Sequence, residues 1–324
     1  MKLFITHESA LAYWLGPYCK PLSPNSRWTA LPSSPLARET IDTETLARKG
    51  VDVEPLHISV GTPAHLIRRR SIAGHVMSGV IPAGSFEPLA NPFGVQNPDI
   101  RVATPELAFC QSASARLYPE AVLLGYHLCA QFRPNPITGD PDKIEPVTTS
   151  VALQRYVQRY GARPGAAMAT RVATNICPGA AASQMEIALA MLLTLPRKDG
   201  GYGLPQGILN GEVTIPGKEH KAESIVYHGD MVWPKQRLVV EYDSNLHHRD
   251  PAQLAIDAER RNNMQDAGWR VATITWSQVQ NPGKLDVVAA QLARALGVRN
   301  GYVALRTAQR RADLRRLVLP HMQM

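Results

Sequence analysis

Residues 237–243 read Arg237-Leu-Val-Val-Glu241-Tyr242-Asp243. Leu238-Val239-Val240 has the apolar, β-branched profile of a central strand, and two acids follow it at once. Glu241 and Asp243 lie two apart, so on a strand both side chains face the same side of the sheet. A carboxylate leaving a buried strand is costly unless a cation or hydrogen bonds compensate it. This stretch decides the reading of the second half of the chain.

Upstream, Tyr227-His228-Gly229-Asp230-Met231-Val232-Trp233-Pro234 reads as a strand that stops at its proline. With Pro234-Lys235-Gln236 as the turn, a hairpin would bring Asp230 beside Glu241. Clustered anions repel, so without a cation some would stay protonated. Oxygen-rich clusters are how proteins hold Mg²⁺ or Mn²⁺, leaving water positions for a substrate phosphate. Such an ion suits phosphodiester hydrolysis. The alternative is that the acids end their strands and pair with surface arginines or cap the next helix. His247-His248 follows closely and would bind metal, act as a general acid or touch phosphate, or sit solvated in a loop. Arg260 and Arg261 fall on the next helix, where one would face a scissile phosphate or form an ordinary charged face.

Working outward, Ser183-Gln-Met-Glu186 opens a helix with a capping box. Glu212–Ile215 reads as a strand, and Ala252–Ala267 as a helix closed by Gly268. Trp269–Trp276 is a strand and Leu285–Leu296 a helix. The order helix–strand–strand–strand–helix–strand–helix implies an α/β domain, a mixed sheet flanked by helices. Cys177-Pro178-Gly179 marks a boundary, dividing the chain into an N-terminal α+β module (1–176), an α/β domain (181–298) and a basic C-terminal helix (299–324). In the first module we expect helices over 6–15 with Thr6 as cap, from Thr104-Pro105 onward, over 119–132, and around 150–160 and 165–175. Strands are expected at Leu56–Val60, His75–Ile81 and Ile100–Ala103, and proline-rich loops at 17–36 and 133–147.

A length of 324 residues suits about two domains. With 44% hydrophobic and 19% charged residues the chain is globular rather than disordered. No apolar run of membrane-spanning length occurs, and the N-terminus makes a poor secretory signal. Four scattered cysteines exclude a zinc ribbon and argue against a disulfide scaffold, so we expect a cytoplasmic protein with reduced thiols. The net charge is +8. Seven arginines against Asp313 between Arg294 and Arg316 supply most of it. The fourfold spacing of Arg306/Arg310 and Arg311/Arg315 places each pair on one helix face, a strip that attracts DNA phosphate or is merely solvated. Arg68-Arg69-Arg70 reads as a charged turn. Gly201-Tyr-Gly203-Leu-Pro-Gln-Gly207 has the wrong spacing for a nucleotide fingerprint. Walker, HExxH and GxSxG motifs are absent.

Taken in order, Ser183-Gln-Met-Glu186, Gly229-Asp230-Met-Val-Trp-Pro234, Val239-Val-Glu241-Tyr-Asp243-Ser with His247, Arg260-Arg261-Asn262 and Ala267-Gly268-Trp269-Arg270-Val271 resemble endonuclease-like domains related to very-short-patch repair endonucleases. These belong to the PD-(D/E)XK, restriction-endonuclease-like superfamily. The resemblance covers about residues 181–298. It implies a metal-dependent DNA endonuclease core with Asp230 and Glu241 as metal-binding acids, Glu186 as the acid of the leading helix, and Mg²⁺ or Mn²⁺ as cofactor. The superfamily's usual lysine is replaced by Asp243, so the general base falls to His247 or a water. That departure also admits a catalytically inactive DNA-binding regulator or antitoxin. Arg260, Arg261, Arg306, Arg310 and Arg311 are the expected DNA contacts. In the first half, Leu56-His57-Ile-Ser-Val60, Arg68–Arg70 and Arg101-Val-Ala-Thr-Pro105-Glu-Leu-Ala-Phe resemble the C-terminal domain of AbiE-type antitoxins, over about residues 50–130, without the usual winged helix. This implies a module that engages DNA or a protein partner, and a place in bacterial defence or repair.

Overall fold

A computed structural model describes residues 3–16, 43–77, 81–90, 96–135, 138, 140–216, 224–243, 251–298 and 305–319. The chain divides into two compact units, Met1–Thr174 and Asn175–Met324. Both carry a mixed sheet flanked by helices, an α/β architecture. No helix among the described residues is long and apolar enough to cross a membrane.

The first unit runs β1 (Leu3–Ile5), α1 (His7–Leu15), α2 (Thr43–Arg48), β2 (Leu56–Val60), β3 (Ile72–Val76), β4 (Phe86–Ala90), β5 (Gln96–Ala103), α3 (Pro105–Ser112), α4 (Tyr118–Leu128), β6 (Phe132–Pro134), β7 (Pro141–Lys143), α5 (Ser150–Tyr160) and α6 (Ala166–Ala173). Its five-stranded sheet has the order β3-β2-β1-β5-β4. Strand β1 runs antiparallel to β2 and parallel to β5, and β2 runs parallel to β3. Phe4, Ile5, Trp14, Ile58, Phe86 and Phe109 are fully or almost fully buried, and the Trp14 indole donates to the Ala103 carbonyl at 2.6 Å. Thr104 caps α3 as expected, its hydroxyl accepting the Leu107 amide, with Pro105 in the first turn. Thr6 precedes α1 but makes no cap bond; its hydroxyl meets Ser59 instead.

Three local expectations need correction. The helix read over 119–132 ends at Leu128, and Phe132 opens a strand. The strand read at His75–Ile81 is Ile72–Val76, because its parallel pairing starts at Leu56↔Ile72 and stops with its partner at Val60↔Val76. The proline-rich stretch 133–147 contains a two-stranded ribbon, β6 with β7. Its two strands are only three residues each, too short to announce themselves by alternation.

The second unit runs α7 (Gln184–Thr194), β8 (Ile208–Ile215), β9 (Ile225–Trp233), β10 (Leu238–Asp243), α8 (Pro251–Asp266), β11 (Arg270–Thr275), α9 (Trp276–Gln280), α10 (Pro282–Ala295) and α11 (Leu305–Val318). The sheet order is β11-β10-β9-β8. Strands β8, β9 and β10 form an antiparallel meander, and β10 pairs parallel with β11 through α8. The β9–β10 turn is a short 3-10 helix over Pro234–Gln236. Val213, Val232 and Val239 pack with Met264 of α8 in one core cluster. Glycine is required at 229, where an added Cβ would meet Val239 Cγ1 at 2.4 Å. That lets β9 approach β10 closely just before Asp230. Helix α11 packs on α7 and on the 3-10 turn Arg197–Asp199 within this unit, rather than standing apart.

Candidate active site

The β9–β10 register sets the geometry. The pairing Leu238↔Trp233, Val239↔Val232 and Val240↔Met231 stops there, and just past it stand Glu241 and Asp230, two residues from Val239 and Val232 respectively. Glu241 pairs with Thr273 on β11. Glu241 stands two residues beyond Val239, hence on the face that packs against α8. Arg260 stands one turn before Met264 on that helix, so it meets the sheet where the apolar cluster ends. The result is a polar recess of about 150 Å³ lined by His228, Asp230, Glu241, Tyr242, Asp243, Asp257, Arg260, Arg261 and Thr273.

Within it, one Asp230 oxygen accepts the Tyr242 amide at 2.6 Å. The Arg260 guanidinium donates to Glu241 Oε1 at 2.7 Å, also reaches the His228 carbonyl, and lies 5.8 Å from the Tyr227 ring centroid. Asp230 Oδ1 and Glu241 Oε2 make no such bond among the described residues. The Nε atoms of Arg260 and Arg261 are buried without a hydrogen-bond partner there. Burial pushes both carboxyls above the ordinary carboxylate range, against Arg260, which pulls each down, and the Tyr242 amide, which pulls Asp230 down. For Glu241 the neighbouring Asp230 adds to the rise.

Glu186 has a different role. Its carboxylate accepts from the Ala182 amide and the Asn210 side-chain amide, each at 2.7 Å, and from the Ser183 hydroxyl at 3.0 Å. Ser183 Oγ in turn accepts the Glu186 amide at 3.1 Å. Ser183 therefore caps the helix as expected, but the capping box is not completed, because the Glu186 carboxylate takes the Ala182 amide instead of the Ser183 amide. Burial, helped by Asp230, raises Glu186 to about 7. Asn210 adopts a left-handed backbone, φ 47°, and ties β8 to the α7 start. Glu186 is a clamp at the back of the acids, and its bonded oxygens do not complete a three-carboxylate ligand set.

The arginines sort differently from their charge pattern. Arg260 and Arg261 line the recess. Arg310 is exposed and reaches the Lys198 carbonyl. Arg311, expected to touch DNA, points inward. Its side chain is only 7% exposed, bonded to Asp286 at 2.5 Å and stacked 4.1 Å over the Tyr202 ring. Arg315 is buried beside it, donating to the Gln280 carbonyl. The fourfold spacing did place the pair on one face, but it is the face that α11 buries. His247, His248 and the Arg306 side chain lie outside the described residues. His228, Asp257 and Thr273 enter the recess without having been singled out in the sequence. The strand register reveals Thr273 and the helical repeat preceding Arg260 reveals Asp257.

No family model matches the chain, and no solved structure matches it. It is similar to two uncharacterized proteins of Mycobacterium tuberculosis, from strains CDC 1551 / Oshkosh and ATCC 25618 / H37Rv, each 33% identical over 119 residues. The similarity covers 36% of this chain and 38% of each relative.

Proposed function

We propose that the second unit is a Mg²⁺- or Mn²⁺-dependent nuclease that hydrolyses a DNA phosphodiester. The observation that carries this reading is the meeting of the Asp230 and Glu241 carboxylates with the Arg260 guanidinium in one recess at the end of the β9–β10 pairing. The donor set fits a hard divalent cation: two carboxylates, each with an oxygen that bonds no other described residue, suffice when water and substrate phosphate fill the remaining positions. When bound, such an ion lowers the pKa of a water and neutralises charge on a phosphoryl oxygen. Asp230 and Glu241 would hold it. The Tyr242 amide fixes the Asp230 carboxylate. Arg260, released from Glu241, supplies positive charge to the scissile phosphate, a cation coming from α8 where position 243 carries an aspartate. Glu186 holds the α7 start against β8 and so positions the acids.

The first unit would position DNA or a protein partner, and the whole would act in the cytoplasm of a bacterium in defence or repair; these assignments follow the resemblance alone. The test is supercoiled plasmid incubated with Mg²⁺ or Mn²⁺. Wild type nicks it and Asp230→Asn does not, while both retain DNA binding. The rival is a catalytically inactive DNA-binding regulator or antitoxin. It is favoured by the existing Glu241–Arg260 ion pair, which satisfies the acid without metal. DNA binding by wild type with no metal-dependent nicking would decide for it.

A further inference from the structure

The first unit gathers three histidines from three elements: His7 at the start of α1, His57 on β2 and His75 on β3. The topology explains how. Ser59 pairs with His75 in the parallel β2–β3 ladder, and His57 lies two residues before Ser59, so both histidines project from one face. Chain β1 ends beside β2, with the Thr6 amide on the His57 carbonyl, and the next residue is His7. One ring nitrogen from each of the three lies within 4.8 Å of the others. His57 Nδ1 and His75 Nε2 share a hydrogen bond at 2.9 Å, one ring donating and the other accepting, and the His7 ring stacks on His75 with centroids 3.7 Å apart; an ion would take the place of that hydrogen bond, with the His7 ring turned edge-on to it.

We propose that His7, His57 and His75 form a site for one divalent transition ion of the zinc class. Two imidazole nitrogens bound to one such ion at about 2.0–2.1 Å lie roughly 3.0–3.4 Å apart, close to the His57–His75 separation. Imidazole is a borderline ligand suited to zinc, nickel or copper rather than to magnesium. The surroundings supply the outer contacts that such ligands need. His7 Nδ1 bonds the Thr6 hydroxyl, which bonds buried Ser59, and the Ser9 hydroxyl holds the His57 amide. The His7 backbone is left-handed at φ 50°, anchored by its amide on Gln111; strain of this kind persists where surrounding structure enforces it, and functional sites are where it collects. Three protein ligands leave a position open to water or a small ligand.

The test uses the full chain stripped with a chelator, titrated with Zn²⁺ against a chromophoric competitor, and examined when loaded by X-ray absorption at the zinc edge. One ion binds tightly, in a shell dominated by imidazole. His57→Gln and His75→Gln each weaken binding about 100-fold, while Asp230→Asn, Glu241→Gln and His247→Ala/His248→Ala leave it unchanged. No binding at micromolar zinc, an oxygen- or sulfur-dominated shell, or binding indifferent to both histidine substitutions overturns the proposal. If the histidine variants fail to fold, the wild-type absorption spectrum and the second-unit variants still decide it.

Discussion

Each unit brings like polar groups together on a sheet, but with opposite chemistry. The second unit converges carboxylates with a guanidinium already among them. The first converges imidazoles, with no carboxylate in the set. Hard oxygen donors suit magnesium and manganese, and nitrogen donors suit zinc and its neighbours. One chain would then hold two ions that do not compete for the same donors. The acids also carry their own counterion in Arg260, so that site can persist ion-free as an ion pair. The histidines do so through the hydrogen bond between His57 and His75.

The largest effect that would break this contrast comes from exchanging the losses. Asp230→Asn should lower metal-dependent plasmid nicking on the order of 100-fold or more and leave zinc affinity untouched, while His75→Gln should do the reverse. Loss of both properties from either substitution would mean that the two sites are one functional unit or that the fold has failed, which circular dichroism separates.

Protonation should move the two units in opposite directions. Buried Glu186 has a folded-state value of about 7 against 4.5 unfolded. The folded state therefore binds more protons in that window, and the second unit loses stability as pH rises from about 4.5 to 7, by on the order of 2–3 kcal/mol. In the first unit, burial lowers His127 on α4 below 6.5. There the unfolded state binds more protons, so stability falls as pH drops below 6.5. Denaturant melts at pH 5 and pH 7 should show two transitions shifting oppositely, with Glu186→Gln reducing one shift and His127→Gln the other. A common direction would remove this distinction.

Packing at Gly229 is the next lever. Gly229→Ala places a Cβ 2.4 Å from Val239 Cγ1. It should destabilise the second unit by about 1–3 kcal/mol, and nicking should fall with the displaced Asp230. Zinc binding by the first unit should be unaffected.

The two clusters also differ in how readable they are. Glu241 and Asp243 interrupt an apolar strand, so local pattern exposes them, and a three-residue turn makes the nearness of Asp230 a short-range inference. His57 and His75 break nothing: in LHISV and IAGHV each occupies a position that any half-buried polar residue could fill. Their meeting depends on a parallel β2–β3 ladder and on β1 lying beside β2, which no local pattern specifies. The mixed sheet and its longer helices were legible in the second half because two antiparallel connections and one crossover build it, while the first residue of the short α9 was read as the end of a strand. Asn210 was not, since its role depends on a left-handed backbone and a carboxylate from another element.

The smallest effects concern α11, where composition misleads. Arg310 and Arg311 are adjacent and equally charged, and both looked like phosphate contacts. Arg311 covers Tyr202 and pairs with Asp286, so Arg311→Ala should cost about 1–2 kcal/mol of second-unit stability through lost stem packing and stacking. Arg310 is exposed, so Arg310→Ala should leave stability within about 0.5 kcal/mol and reduce the salt dependence of DNA binding by roughly one phosphate contact. Arg260→Ala belongs with neither: it removes the counterion of Glu241, so it should tighten Mn²⁺ binding while slowing cleavage about tenfold. If Arg310→Ala destabilises as much as Arg311→Ala, the outward face of α11 is structural, and the proposed DNA surface contracts to the recess alone.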